Sequence, residues 1–324
     1  MRRSHTRVVI QWITALILAF TLAGSASAQI KVLTIIAPAA PGGGWDQTSR
    51  ELQRVIEANH LANTAKVMNI PGAGGTIGLA QFVASNQGNG EVLMTMGLIM
   101  VGAVLTNESP VTLEEVTPIA RLTGEYEVLV VPAASPFKDL DEFIEAWKLD
   151  PGKYAIAGGS AGGTDHMLAG LLAKSVGIDV TKINYIPHSG GGESIASLVG
   201  NHLPVGIHGL AEMVPFIKTG RLRALAISSD ERLEGLNIPT FVEQGVDITL
   251  ANWRGVVAPP GISAQQRIAL LELVDRMVKS SQWKAVLANN DWIDMYQAGQ
   301  EFAEFLKQED VRATAVLKSI GLVE

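Results

Sequence analysis

Four glycine-rich loops hold the residues whose types and spacing are best suited to chemistry. Each loop follows a short apolar run of strand-forming residues and comes directly before a segment that predicts a helix. The first N–H groups of such a helix point into the loop, where the helix dipole places roughly half a positive charge. A loop of this kind can bind an anion without any basic side chain. The glycines stand at positions 42–44, 72, 74–75, 158–159, 162–163 and 190–192.

Several side chains in these loops are candidates for contact with a ligand. Ser160 and Thr164 are hydroxyl donors in the third loop. Trp45 indicates either a pocket wall or an anchor on the protein surface. Asp46 and Asp165 stand where helix N-caps stand, so capping is their expected role. A hydrogen bond to a ligand hydroxyl or a bridging water is the alternative for both carboxylates.

Three histidines lie beside the loops. His188 and His208 each follow a predicted strand, on the side where a cleft between the loops is expected. A neutral imidazole there could bind a ligand as a hydroxyl does, or it could be structural. His166 falls in the first turn of its predicted helix, and a buried structural role is the alternative to ligand contact for it.

Arg254 is the charge that most needs a partner. It interrupts the otherwise apolar run of residues 248–258, where a guanidinium is costly to bury unless it meets a carboxylate. That carboxylate could belong to a ligand or to an internal Asp or Glu, and Arg121 is a weaker candidate for the same role. The candidate ligand-binding residues are Gly43, Gly44, Trp45, Asp46, Gly74, Gly75, Thr76, Ser160, Ala161, Gly162, Gly163, Thr164, Asp165, His188, His208 and Arg254.

Motifs typical of enzymes are incomplete. Residues 158–162 match the G-x-S-x-G nucleophile elbow around Ser160, but the last histidine, His208, lies only 48 residues further on. No His-Gly-Gly-Gly segment precedes the elbow. The third glycine position of a dinucleotide fingerprint holds Ile77, and no phosphate-binding G-x-x-x-x-G-K-[ST] motif occurs. There is no cysteine, and no histidine pair has metal-ligand spacing, so we predict neither cofactor nor metal.

Composition and the N-terminal segment indicate an exported binding domain. The 324 residues are 47% apolar and only 18% charged, with no run of Lys or Arg that would indicate nucleic-acid binding. Residues 1–28 are typical of a signal peptide, with three arginines, an apolar run of about 15 residues and an Ala26-Ser27-Ala28 cleavage site. We expect a mature chain that begins at Gln29 in a bacterial periplasm, with 22 basic and 32 acidic residues, a net charge of −10.

Strand-like and helix-like segments alternate along the chain, which predicts an α/β fold with mainly parallel sheets. Two apolar runs, residues 126–131 and 248–258, predict paired strands that join two lobes. One lobe would contain residues 29–125 and 257–324, and the other residues 126–256. At the C-terminal end we expect two helices that pack on the first lobe. Ser263 is predicted to cap the first, residues 265–280, with Ile268 on its buried side, and the second covers residues 301–320.

Five motifs in order carry a resemblance to a known family. They are A-P-x-x-P-G-G-G-W-D-Q, N-I-P-G-A-G-G-T-I-G, G-G-S-A-G-G-T-D-H, Y-I-P-H-S-G-G-G-E and W-R-G-V-V-A-P-P-G. Together they span the mature chain, which resembles the Bug-type substrate-binding proteins of tripartite tricarboxylate transporters. The W-D-Q and N-W-R-G segments are similar to the citrate and tricarboxylate branch.

The resemblance implies a two-lobed, type II periplasmic binding protein that closes on a small di- or tricarboxylate. It implies that loop amides and small hydroxyls hold the ligand, and that the partners are one large and one small membrane subunit. We expect a monomer without enzymatic activity. Two other functions stay open on the residues alone: an exported sensor domain for a carboxylate, and a serine hydrolase that uses Ser160.

The incomplete hydrolase motif generates the first testable prediction. The purified mature protein should show no turnover of simple activated esters or amides, because no downstream acid and histidine complete a triad with Ser160. Hydrolysis followed by absorbance, with Ser160→Ala as the matched control, measures this. Turnover that disappears in Ser160→Ala would establish the hydrolase instead.

Overall fold

A computed structural model describes residues 30–188 and 191–324 of the protein. The predicted signal peptide and the loop residues Ser189 and Gly190 lie outside the described residues. The strands are β1 (Val32–Ala37), β2 (Thr64–Asn69), β3 (Val92–Gly97), β4 (Thr117–Pro132), β5 (Ile156–Gly158), β6 (Tyr185–Pro187), β7 (Val205–Gly209), β8 (Leu222–Ile227), β9 (Ala251–Ala258) and β10 (Ile293–Ala298). The helices are α1 (Gly44–Ala58), α2 (Thr76–Ser85), α3 (Leu98–Thr106), α4 (Leu140–Leu149), α5 (Thr164–Ser175), α6 (Gly191–Val199), α7 (Leu210–Lys218), α8 (Ala264–Val278), α9 (Ser281–Asn289) and α10 (Gly299–Ser319).

The ten strands form one mixed sheet with the order β2-β1-β3-β9-β4-β7-β5-β6, and β8 and β10 also pair with β4. Only the two flanks are parallel, β2-β1-β3 and β6-β5-β7. The expectation of mainly parallel sheets is therefore wrong for the centre, where β9 is antiparallel to both β3 and β4, and β4 is antiparallel to β7. The reason is that the chain crosses the centre in opposite directions on β4 and β9.

Strand β4 organises the sheet because its two halves have different partners. Its first half pairs with β9, from Thr117 opposite Ala258 to Tyr126 opposite Ala251. The prediction that residues 126–131 pair with 248–258 is therefore wrong except at Tyr126, because the strand begins nine residues earlier than predicted and its earlier residues take that place. Its second half pairs with β7 and β8. Side chains near position 126 therefore lie at the point in β4 where pairing with β9 ends and pairing with β7 and β8 begins.

The apolar core follows this arrangement. One large group of buried side chains includes Trp147, Trp253, Phe143 and Phe302, and it draws on the second half of β4. A second group packs β1, α1 and α8 around side chains such as Leu33 and Trp283, and a third lies under β7 and β8. Each glycine loop thus follows a strand that is packed against the core. The ends of these strands fix the positions of the helix starts.

The C-terminal region differs from the prediction in three respects. Helix α8 ends at Val278, and Ser280 then caps the additional helix α9, which is followed by strand β10. Ile268 is 55% exposed, because the buried stripe of α8 runs through Leu270, Leu273, Val274 and Met277 at helical spacing. At the end of α10, Ile320 packs against Gly170 of α5. This end of the chain therefore contacts the second predicted lobe, whereas the prediction placed it on the first.

Within residues 30–188 and 191–324, none of the helices is both long and apolar enough to cross a bilayer.

The predicted cap of α8 is confirmed and can be tested. Ser263 Oγ accepts the Gln266 N–H at 3.2 Å, and Gln266 Oε1 accepts the Ser263 N–H at 2.7 Å. Ser263→Ala should lower the free energy of unfolding by about 1 kcal/mol, whereas Ser263→Gly should cost only a few tenths. Urea unfolding followed by circular dichroism measures both. Equal losses from the two variants would show that the side-chain cap contributes nothing here.

Candidate functional site

The predicted glycine loops border a single cleft of about 660 Å³. From one side the cleft is lined by the loop that opens α1, with Gly43, Gly44 and Trp45, and by residues 71–75. Residues 159–161, His188 and Gly191 bring the third and fourth loops to the same space. The remaining wall consists of polar side chains from the central strands and from α7, namely Glu125, Asn252, Arg254, His208 and Glu212.

The helix starts at the cleft carry no side-chain caps. The N-cap of α1 is Gly43 and that of α5 is Gly163, and neither helix start receives a side-chain hydrogen bond at its cap. The N–H groups of the first turn of a helix have no acceptor within the helix. The amides of Gly44 and Trp45 are therefore available to an anion in the cleft. Among the described residues, the amides of Ser160 and Ala161 also donate to no backbone or side-chain acceptor.

The expected capping roles of the two loop aspartates are wrong, because both lie inside their helices. Asp46 is the third residue of α1, and its carboxylate accepts the Gly42 N–H at 2.9 Å, Asn69 Nδ2 at 2.8 Å and Arg50 Nε at 2.9 Å. Burial raises the pKa of Asp46, but these hydrogen bonds outweigh burial and hold it below its ordinary value. Asp46 does not line the cleft, whereas Asp165 does.

Several amides predicted to bind a ligand are already used within the loops. The Gly43 N–H donates to Ala40 O at 3.1 Å, and the Gly75 N–H donates to Gly72 O at 2.9 Å. In the third loop, the Gly162 N–H donates to His166 Nδ1 at 3.2 Å and the Gly163 N–H to Ser160 O at 2.9 Å. These glycines shape the loops, and the donors that remain for a ligand are those of neighbouring residues.

The other loop candidates divide into cleft residues and structural residues. Trp45 is 7% exposed and forms part of the cleft wall, so it is not a surface anchor. Thr76 Oγ1 donates to Ala73 O at 2.9 Å, and the fully buried Thr164 lies outside the cleft wall. Gly74 has φ +60° and packs on α3, where an added Cβ would lie 2.4 Å from Ala103 Cβ.

Arg254 is paired with an internal carboxylate. Its Nη2 donates to Glu125 Oε1, and the two side chains are 5% and 2% exposed. Nη1 lies 3.4 Å from Thr48 Oγ1, and the guanidinium lies over the Trp292 ring at 5.4 Å. The guanidinium also lies against the start of α1, because a Cβ on Gly44 would be 2.7 Å from Nη2. The internal alternative for Arg254 is thus the one found.

Arg121, the weaker candidate, lies outside the cleft. Its Nε donates to Met295 O at 2.9 Å, and its guanidinium lies 4.0 Å from the centre of the Phe305 ring. It contributes instead to a separate pocket of about 280 Å³ beside Trp253.

A buried hydrogen-bonded chain holds His208. Ser194 Oγ lies 2.6 Å from Nε2, and Nδ1 lies 3.4 Å from Asp165 Oδ2. Burial lowers the pKa of His208 in spite of Asp165, so the ring is neutral. Ser194 is fully buried and does not line the cleft, so no substrate carbonyl can reach its hydroxyl. Ser160 does line the cleft, yet no histidine among the described residues accepts a hydrogen bond from it.

Sequence reasoning singled out Asp165 but missed the three glutamates whose charges interact with it. Glu125 and Glu127 come from β4, Asp165 from α5 and Glu212 from α7. Burial, then Glu125, raise the pKa of Glu212 to about 7, although Arg254 opposes the shift. Burial, then Asp165, hold the pKa of the fully buried Glu127 well above its ordinary value. The signal that could have found this group is two glutamates at positions 125 and 127, on one face of an otherwise apolar strand.

Among the described residues, no three His, Asp or Glu side chains are arranged to hold a metal ion.

Comparison with known proteins identifies a family and a fold. The sequence model of the family described as "Tripartite tricarboxylate transporter family receptor" matches residues 49–322. Protein BugT of Bordetella pertussis is 28% identical over 295 residues, which cover 89% of each chain. MatC from Rhodopseudomonas palustris with bound malate aligns with a TM-score of 0.78 and 24% identity, covering 89% of this chain and 99% of that one. Another R. palustris protein, solved with adipate, aligns with a TM-score of 0.82 and 21% identity, covering 90% of this chain and 97% of its own. The fold is that of the two-lobed, type II periplasmic binding proteins.

The buried pair at the base of the cleft generates a stability prediction. Arg254→Met or Glu125→Gln should each lower the free energy of unfolding by about 3–5 kcal/mol, because each leaves an uncompensated buried partner. The double variant Arg254→Met with Glu125→Gln should recover much of that loss, because neither charge is then left alone. Urea unfolding measures all three.

A matched control is the exposed pair Lys279 and Asp275, with an N–O distance of 2.8 Å. Because solvent screens it, Lys279→Met should change stability little. Losses from Arg254→Met and Glu125→Gln that simply add in the double variant would contradict a direct ionic pairing.

Proposed function

This chain belongs to the tripartite tricarboxylate transporter receptor family, and we propose that it captures a small carboxylate in its cleft and delivers it to a membrane transporter. The family and the fold are those of substrate-binding proteins, not of enzymes. We propose a periplasmic location after removal of residues 1–28, with cleavage after Ala28. The proposed partners are one large and one small membrane subunit. We propose that the receptor binds them as a monomer.

One observation carries the proposal for the ligand. The uncapped start of α1 and the amides of Ser160 and Ala161 line the same cleft, and the Arg254 guanidinium lies against the start of α1. Helix N–H groups and the dipole favour an anion at such a place. That MatC was solved with malate and a second structural neighbour with adipate supports a carboxylate as this anion.

The way the two lobes would close follows from the sheet. We assign residues 29–125 and 257–324 to one lobe and residues 126–256 to the other, with β4 and β9 as the crossings. Gly102 of α3 supports closure between them, because an added Cβ there would lie 2.2 Å from Gly162 O. The third loop therefore lies directly on α3 when the cleft has the present shape.

A compact di- or tricarboxylate such as citrate is the first ligand class to test. A carboxylate that binds only the folded protein should stabilise it by about 2.7 kcal/mol at a hundredfold excess over its Kd. A thermal-shift panel of citrate, tricarballylate, malate, succinate, glutamate and nicotinate measures this. A panel in which only sugars, or amines without a carboxylate, raise the melting temperature would contradict the proposal.

A site variant shows whether the shift comes from this cleft. Gly44→Ala should weaken the bound carboxylate roughly tenfold, because the new methyl group would displace the Arg254 guanidinium from the start of α1 and cost about one charge-assisted hydrogen bond. Gly152→Ala is the control, since its added Cβ would make only ordinary contacts, with the nearest atom at 3.7 Å. Equal affinities of the two variants would place the ligand elsewhere.

A further inference from the structure

A second pocket lies behind the crossing strands. Asn252 and Arg254 of β9 line the cleft, whereas Ala251 and Trp253 line the separate pocket of about 280 Å³ to which Arg121 contributes. Successive side chains of a strand point to opposite faces of a sheet. The cleft and this second pocket, which we name the Trp253 pocket, therefore lie on opposite faces of β9.

A shift in the register of β4 brings Arg121 to the Trp253 pocket. The pairing with β9 shifts by one residue between Arg121 and Thr123, so that Arg121 lies opposite Gly255. Residues directly opposite one another on paired strands share a face, which is here the face of Trp253. With an unbroken register, Arg121 would share the face of Glu125 and point towards the cleft.

Arg121 is a partly buried cation without a carboxylate partner. Its Nε donates to Met295 O at 2.9 Å, and its guanidinium lies 4.0 Å from the centre of the Phe305 ring. Its two terminal nitrogens donate to none of the described residues. Burial lowers the pKa of Arg121, and the charge of Glu309 opposes the shift without cancelling it. These contacts hold the guanidinium in place and leave its terminal donors unused.

The two carboxylates that line the pocket do not fill this need. Glu309 accepts the indole N–H of Trp253 at 2.6 Å and pairs with Arg312, with Nε at 2.5 Å and Nη2 at 2.9 Å. Asp230 is exposed, and it forms no ion pair with Arg121. The charge of Arg121 is therefore left for an anion that enters the pocket.

The walls define the rest of the occupant. A planar guanidinium with free terminal donors suits a carboxylate, which it can bind through two parallel hydrogen bonds. Rings and apolar side chains form much of the remaining wall, namely Tyr126, Leu250, Trp253, Met295 and Phe305. Asp230 would repel a second carboxylate on the same ligand. A volume of about 280 Å³ also limits the ligand to a small molecule.

We propose that the Trp253 pocket is a second binding site, which takes a small monocarboxylate with a compact apolar body and pairs its carboxylate with Arg121. This site is distinct from the cleft and goes beyond the receptor function proposed above. Residues of both proposed lobes line it, with Arg121 and Phe305 from one lobe and Tyr126 and Leu250 from the other. An occupant therefore contacts both lobes on the face opposite the cleft.

Matched pairs of acids and amides test the charge requirement. Benzoate with benzamide, cyclohexanecarboxylate with its carboxamide, and isobutyrate with isobutyramide each keep the apolar body and remove only the charge. Calorimetry should show the acid of at least one pair bound about ten- to a hundredfold more tightly than its amide, because a charge-assisted hydrogen bond is lost. Acids that bind no better than their amides, or the absence of binding by all three acids, would overturn the assignment.

A pair of arginine variants locates the charge. Arg121→Gln should weaken the bound acid at least about tenfold, whereas Arg121→Lys should retain part of the affinity because it keeps the charge without the planar fork. Arg54→Gln is the control, since Arg54 is exposed on α1 and pairs with Glu51. Circular dichroism checks the fold of each variant. Equal affinities of Arg121→Gln and Arg54→Gln would contradict the role of Arg121.

A filled pocket separates a binding site from attraction to a surface charge. Ala251→Leu keeps every charge but adds bulk inside the Trp253 pocket, so it should also weaken the acid about tenfold or more. Unchanged affinity in this variant would overturn the assignment.

The cleft variant Gly44→Ala separates the two sites. It should leave the acid's affinity unchanged, because Gly44 lies at the cleft and not at the Trp253 pocket. An acid that loses affinity in Gly44→Ala and keeps it in Arg121→Gln would be a cleft ligand, which would overturn the second site and leave the receptor function standing. The receptor function itself is judged by the di- and tricarboxylate panel, in which Arg121→Gln should behave as wild type.

Discussion

The buried pair of Arg254 and Glu125 is the interaction on which the site depends. It joins β9 to β4 at the centre of the sheet, and the guanidinium also lies against the start of α1. Burying two charges has a large desolvation cost, and leaving one of them alone costs more. The surrounding residues accommodate the pair: a Cβ on Gly44 would collide with the guanidinium, and one on Gly209 would lie 2.6 Å from the Glu125 carboxyl carbon. The pair thus fixes how the start of α1 sits relative to β4 and β9.

Strand β4 explains why four carboxylates lie close together. Glu125 and Glu127 point to one face of the strand, at the place where pairing with β9 gives way to pairing with β7 and β8. A sheet that changes partners here brings α5 and α7 close to the same face, and with them Asp165 and Glu212. The fully buried Glu127 holds its proton because charge repulsion and burial act in the same direction. The cleft therefore has carboxylates close to its loop amides, as the 2.6 Å bond from the Gly159 N–H to Asp165 Oδ2 shows.

His208 leaves the negative charge of Asp165 uncompensated. A protonated His208 would neutralise Asp165, but burial lowers the pKa of His208 and keeps the ring neutral. The geometry of Ser194, His208 and Asp165 has the order of a catalytic triad, yet the serine is sealed from the cleft. In a site open to substrate these three residue types could catalyse hydrolysis. Here the buried serine only orients the imidazole, and this arrangement agrees with a binding protein.

What the sequence determined by itself is local, and what the tertiary structure decided is long-range. Strand ends, glycine turns, helix starts and the Ser263 cap depend on residues within a few positions of one another, so the four loops and the α8 cap could be predicted from the chain. The sequence also predicted that Arg254 needs a carboxylate partner. It did not predict that Glu125, which is 129 residues away, is that partner. Which loop amides remain free depends on turn geometry, as the bond from Gly162 to His166 shows. The group of four carboxylates combines β4, α5 and α7. No local pattern joins these elements, because only the folding of β4 between two sets of strands places their carboxylates together.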